Sequence, residues 1–303
     1  MEQSYSKISE KQGLKEKNFS LLLDTLAQPG TKPPEKLPKN PLKNRALAKY
    51  FTNEIIFPLI DLDSPLNKAY WSTYHCCNIL LQDGQKITGK YCNNRWCLVC
   101  NRIRTAKLIN GYLPVINREF KDPYFVTLTI PNVDDLQLRL SVFDMIKTIT
   151  RINHLFRHRK DYRIKGIRKL EVTYNERGND FHPHFHILVE GSLPAESLLT
   201  EWLKHYPEAD KRGQDIRPAD QGSIIELFKY STKITAKSKN SAEALDVIFK
   251  ALYKKRVFQP IGLKKVSVSE DIDEIQAQII DDLKSDIDVW AWEQDLKDWV
   301  NSS

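Results

Sequence analysis

Hydrophobic and polar positions alternate most strictly along Phe181-His182-Pro183-His184-Phe185-His186-Ile187-Leu188-Val189. Side chains on a strand point to opposite faces in turn, so Phe185, Ile187 and Val189 enter a core while His184 and His186 share the other face. Arg168 to Tyr174 reads as a second strand, and Asn175 to Asp180, with Gly178 and two asparagines, as the turn joining them. Tyr124-Phe125-Val126-Thr127-Leu128-Thr129-Ile130 is β-branched or aromatic almost throughout and predicts a central strand ended by Pro131-Asn132. Helical spacing runs from Asp134 to Arg159 through Leu140, Phe143, Ile146 and Ile149, and again from Asn101 to Ile116. Shorter helices are expected over Pro194 to His205, Ser223 to Lys237 and Ser241 to Leu252. Tyr74 to Leu81 and Lys86 to Tyr91 suit a hairpin about Asp83-Gly84. The pattern predicts an α+β fold with a central antiparallel sheet, helices on one face and the histidines on the other.

The same pattern divides the chain. Residues 1–44 form an arm, with a short helix around residues 15 to 27 and five prolines between Gln28 and Pro41 marking an extended linker. Residues 45–116 form a cysteine-rich module, 117–265 the α+β domain and 266–303 an acidic tail bearing Trp290, Trp292 and Trp299. No internal repeat is visible.

Charge adds a partner class. The net charge is +7, but Glu270 to Ser303 holds 11 acidic residues and 2 lysines, which leaves +16 on residues 1–269. A strongly basic body fits a polyanion, above all nucleic acid, because neutralised phosphates release counterions. No apolar run reaches the roughly 20 residues that span a bilayer, and Met1 to Lys7 lacks the blocks of a secretory signal. A cytoplasmic protein with no membrane partner is expected. Five cysteines, three of them between Cys92 and Cys100, then favour metal binding over disulfides.

Three constellations carry chemistry. If the hairpin turns near Arg177 and Gly178, Glu171 lies opposite His184 and shares its face. Two imidazoles and a carboxylate suit Mg²⁺ or Mn²⁺ engaged with phosphate, with Fe²⁺ or Zn²⁺ as alternatives, and His182 stands one step outside as a supporting or DNA-contacting group. On a helix, Glu226, Tyr230 and Lys233 project from one face. A tyrosine hydroxyl needs a cation, a base or a polarised substrate to attack; Lys233 supplies a cation and Glu226 a base for water. Cys92, Cys97 and Cys100 have the spacing of a structural Zn²⁺ site, with Cys77 as fourth ligand and His75 or Cys76 in reserve. The adjoining Arg95, Arg102, Arg104 and Lys107 are expected on DNA, and Trp96 over the zinc site or a base.

The histidine strand and the tyrosine helix together resemble the HUH endonucleases, and most closely the plasmid rolling-circle replication initiators with one catalytic tyrosine. The resemblance rests on the threonine-rich strand from Phe125 to Thr129, on His182-Pro183-His184-Phe185-His186, and on Lys229-Tyr230-Ser231-Thr232-Lys233, in the family order. It covers about Cys77 to Lys237. It implies an HUH catalytic domain over residues 117–265 and metal-dependent nicking of plasmid origin DNA, single-stranded or extruded as a hairpin. Tyr230 would form a 5′-phosphotyrosine bond and free a 3′ hydroxyl primer, Lys229 would contact DNA, and Glu226 would activate water at termination. Host helicase and polymerase follow as partners. The alternatives are a mobilisation relaxase or single-strand transposase of the same superfamily, and a zinc-dependent DNA-binding regulator without catalysis.

Overall fold

The computed structural model of the chain describes residues 43–83, 86–159, 163–228, 239–263 and 287–302. The expected helix over 15–27, the proline-rich linker, and Lys229, Tyr230 and Lys233 lie outside the described residues. In chain order the elements are α1 (Lys43–Ile60), α2 (Asn67–Tyr74), β1 (Ile79–Asp83), β2 (Lys86–Gly89), α3 (Leu98–Glu119), β3 (Pro123–Thr129) and α4 (Asp135–Arg159). There follow β4 (Gly166–Asn175), β5 (Asp180–Glu190), α5 (Ser192–His205), β6 (Asp215–Pro218), α6 (Gln221–Phe228), α7 (Lys239–Leu252), β7 (Phe258–Ile261), β8 (Asp288–Glu293) and β9 (Asp298–Asn301).

Local chemistry sets several of these boundaries. The Asp134 carboxylate accepts the Gln137 backbone N–H at 2.8 Å and starts α4, and the Asp220 carboxylate accepts that of Ser223 at 2.7 Å and starts α6. The fold is α+β. Five strands in the order β6-β3-β5-β4-β7, every neighbour antiparallel, form the central sheet. Glu171 pairs with His184 and Thr173 with His182, the register that the alternation predicts. On the far side of β5, Thr127 faces His186 and Thr129 faces His184.

One face of this sheet buries Val126, Leu128, Phe185, Ile187 and Val189 against α4 and α5. Trp202 of α5 is fully buried there, and its indole N–H donates to the Thr129 carbonyl at 2.9 Å. The expectation that helices keep to one face is corrected: Phe125, Ile167 and Leu188 on the histidine face pack under Leu108 and Tyr112 of α3 and Leu227 and Phe228 of α6. That face is apolar at one end and carries the histidines at the other. Strict alternation along β5 shows which residues share a face but not which helix returns to cover it.

A second sheet, ordered β2-β1-β8-β9, closes the cysteine module. The strand expected from Tyr74 begins only at Ile79, because Tyr70 and Thr73, three apart and fully buried, hold this stretch in α2. Within the acidic tail, residues 287–302 fold back on the module and supply two of the four strands, with Trp290 opposite Leu80 and Trp292 opposite Trp299. The module and the central sheet share one core. Trp96 stacks on Phe249 of α7 at 4.8 Å and meets Tyr70 edge-on at 5.6 Å, while the buried Asp246 accepts hydrogen bonds from Ser64 and, at 2.6 Å, from the Tyr70 hydroxyl. Among the described residues no helix is long and apolar enough to cross a membrane.

Candidate functional site

The cross-strand register brings Glu171, His184 and His186 together, with their ligand atoms all within 4.8 Å of one another. Nε2 of His184 lies 3.5 Å, and Nε2 of His186 3.7 Å, from the same carboxylate oxygen, Oε2 of Glu171. The other ring nitrogens are engaged: Nδ1 of His184 sits 3.1 Å from the His182 carbonyl and Nδ1 of His186 3.2 Å from the Thr127 hydroxyl. A carbonyl only accepts, so Nδ1–H of His184 donates, which places the metal-binding lone pair of the neutral ring on Nε2, the nitrogen that faces Glu171. Burial holds His186 down to about 4, against the upward pull of Glu171. Burial opposes the charge on Glu171, yet the Lys169 ammonium beside it holds its carboxyl well below the usual range. A neutral imidazole beside an ionised carboxylate is the state that binds a divalent cation without first releasing a proton. The donor set fits such an ion.

Lys169 is a residue that sequence reasoning missed. Its buried ammonium pairs with Oε1 of Glu171 and donates to the Glu226 carbonyl in the last turn of α6 at 3.1 Å. One side chain thus ties the carboxylate of the histidine site to the helix that leads toward Tyr230. The signal was present, since Lys169 stands two residues before Glu171 on the same face of β4. Glu226 itself is half-buried in α6. His182 stacks on His184 at 5.2 Å, and its Nδ1 lies 2.8 Å from the Asn132 side-chain oxygen, outside the three-residue group.

The second group consists of Cys76, Cys92, Cys97 and Cys100, again within 4.8 Å of one another. Sγ of Cys100 lies 3.7 Å from those of Cys76 and Cys92. Four sulfurs at 2.3 Å from a tetrahedral zinc stand about 3.8 Å apart, so the spacing fits that ion. The expectation of Cys77 as fourth thiol is corrected. Cys77 adopts a left-handed backbone (φ 56°), its N–H donates to the Lys90 carbonyl and its own carbonyl accepts the Trp299 indole N–H, a turn that hands the fourth place to Cys76. His75 is not in the group and bonds Asn78 instead. Trp96 does not cover the thiols but packs in the main core; Trp299 covers them. Cys97 and Cys100 open α3, whose positive end favours thiolates. Hydrogen bonds from Cys100 and Cys76 draw Cys92 below the usual thiol range, whereas burial pushes Cys97 up. Fully buried Lys49 donates to the Tyr74 carbonyl close by, a cation that no sequence pattern marked.

The basic residues expected on DNA divide. Arg104 is buried and binds Asn93, the Asn94 carbonyl at 3.3 Å and the Asn101 side chain at 3.1 Å, so its DNA-binding role is corrected to that of a brace for the cysteine loop. Arg102 is half-buried against the start of α1, where it donates to the Asn44 carbonyl at 3.3 Å. Lys107 and Arg95 are half-buried, and Arg95 lines a cavity beside Glu171.

Residues 85–196 match the family model described as replication protein, a span that holds Cys92, Cys97 and Cys100, the threonine strand and the histidine strand. A protein named Protein rep from Staphylococcus aureus is 32% identical over 168 residues, covering 47% of this chain and 69% of its own length. The chain belongs to this replication-protein family. A Protein rep from Streptococcus pneumoniae is 24% identical over 197 residues, covering 58% of this chain, and the chain spans 61% of that relative's length. A further Staphylococcus aureus relative, named Replication protein, is 27% identical over 205 residues, with 56% of this chain and 87% of the relative covered. No solved structure matches.

Proposed function

We propose that this replication-family protein initiates rolling-circle replication of a plasmid by nicking one strand at the double-strand origin. The observation that carries the reading is the convergence of both imidazole Nε2 atoms on one carboxylate oxygen of Glu171. A Mg²⁺ or Mn²⁺ ion held by Glu171, His184 and His186 would supply Lewis-acid polarisation of a phosphodiester. The Tyr230 hydroxyl attacks phosphorus in line; the new bond joins its oxygen to the 5′ phosphate, the bond to the 3′ oxygen breaks, and that oxygen leaves as a protonated hydroxyl. Lys233 stabilises the phenolate and Lys229 holds the strand. Lys169 keeps the Glu171 carboxylate aimed and anchors the last turn of α6, from which Glu226 serves a water at termination. The thiols of Cys76, Cys92, Cys97 and Cys100 would hold a structural Zn²⁺ that ties the start of α3 to the loops after α2 and β2. Origin DNA, single-stranded or extruded as a hairpin, is the substrate, and host helicase and polymerase extend the primer.

Incubation with a supercoiled plasmid carrying the replicon's origin and Mn²⁺ tests this. Open circles with protein bound at the 5′ end are expected from the wild type and none from Tyr230→Phe. Unchanged nicking by Tyr230→Phe removes the tyrosine from its role. Glu226→Ala is expected to nick normally while failing to release closed product.

A further inference from the structure

We propose that the cavity between the Cys92–Cys97 loop, the edge of β4 and the end of α7 is a nucleobase pocket. It takes a base of the single strand whose phosphate lies at Glu171, His184 and His186, and so rests on the nicking reading. The cavity is about 200 Å³, and Glu171 and Lys169 form part of its wall. A nucleotide placed at the histidine site therefore has this space within reach of its own base or a neighbour's.

The wall chemistry suits a base. Tyr253, 43% exposed at the end of α7, presents an aromatic ring that the core does not need, with the Lys254 ammonium 5.4 Å from its centroid, and Leu252, Phe249 and Val257 continue the apolar surface beside it. Base stacking on such a face is tolerant of sequence. The open edge of β4 adds polar groups. β7 pairs with β4 only as far as Lys169, after which the Leu170 N–H donates to the Val257 carbonyl at 2.8 Å. In an antiparallel ladder alternate residues turn their N–H and C=O to the same side, so those of Val172 face this edge, where no further strand pairs among the described residues. They offer one donor and one acceptor, a pairing that a base edge matches. Arg95 and Lys254, at the cavity wall, supply the cations that the flanking phosphates require.

The remaining wall is built rather than incidental. The four residues between Cys92 and Cys97 line the cavity; Asn93 is held in a left-handed conformation (φ 56°) by Arg104, and the Asn94 amide donates to the Ala69 carbonyl at 3.1 Å and the Thr73 hydroxyl at 2.9 Å. Thiol spacing thus sets one side of the pocket and the catalytic sheet the other.

The test uses the full chain and short single-stranded oligonucleotides of random sequence carrying 2-aminopurine, titrated with and without Mn²⁺. Quenching on binding is expected, with affinity falling roughly 5- to 150-fold in Tyr253→Ala, as for loss of one stacked base, and returning in Tyr253→Phe. Leu252→Trp, which fills the cavity, should abolish quenching while Mn²⁺ binding, read by electron paramagnetic resonance, is unchanged. Equal affinity and quenching in the wild type, Tyr253→Ala and Leu252→Trp overturn the pocket, even if Mn²⁺ still strengthens binding. Quenching that follows the pocket variants but ignores Mn²⁺ and His184→Ala supports the pocket and overturns the metal reading instead.

Discussion

Lys169 and Glu171 form a buried ion pair at the wall of the histidine site, and neither side chain has an inexpensive way to be alone. Removing one partner of such a pair costs about 3–5 kcal/mol, whereas replacing both by apolar groups of similar volume is often neutral. Glu171→Ala is therefore expected to lower the urea midpoint strongly, and Lys169→Met combined with Glu171→Leu to recover most of the loss. A double variant as unstable as Glu171→Ala alone would show that the pair is not the cause. Thr127 offers a second test at this scale. Its hydroxyl orients His186 through Nδ1, so Thr127→Val should weaken Mn²⁺ binding by about 10- to 100-fold with little change in stability, measured by titration calorimetry.

Among the elements, α3 depends most on its neighbours. Its first N–H, on Leu98, finds no partner within the helix and donates instead to the Thr52 hydroxyl of α1 at 3.0 Å. Loss of a cap of this kind costs about 0.5–2 kcal/mol, and here the capped turn also carries Cys97 and Cys100. Thr52→Val is expected to reduce stability by that amount and to speed release of thiol-bound Zn²⁺ to a chelator; unchanged release would separate the cap from the thiols. The helices α4 and α5 were legible as patterns because their apolar positions recur at helical spacing, although in α4 Leu140 and Phe143 are exposed and Leu138, Val142 and Met145 carry the buried face. By contrast α1, α2, β6 and β7 were not. They are short or weakly patterned, and their burial comes from partners far away in the chain, such as Lys49 beneath Trp292.

Across the whole molecule, the segment 287–302 completes the sheet of the cysteine module, with Trp299 lying over the thiols. Truncation after residue 286 is expected to lower the melting temperature and to make the cysteines react faster with a thiol reagent. Reaction at the wild-type rate would show that the strands are dispensable. Asp246 joins the halves of the shared core, and Asp246→Ala leaves the Tyr70 hydroxyl buried without its acceptor, at a cost of about 1–3 kcal/mol readable in urea.

The alternation of β4 and β5 by itself determined the register that sets Glu171 opposite His184, because strand parity is a property of the backbone over a few residues and one tight turn carries it across. The same holds for the helices α4 and α5 and for the cluster of Cys92, Cys97 and Cys100. Only the tertiary structure decided that Cys76 rather than Cys77 completes the thiols, that Arg104 braces a loop, that Lys169 bridges Glu171 to α6, and that the acidic end supplies strands. Each of those outcomes depends on which buried group meets which across a long loop. That choice is made by satisfying charges and hydrogen bonds in the assembled core, and local spacing carries no record of it.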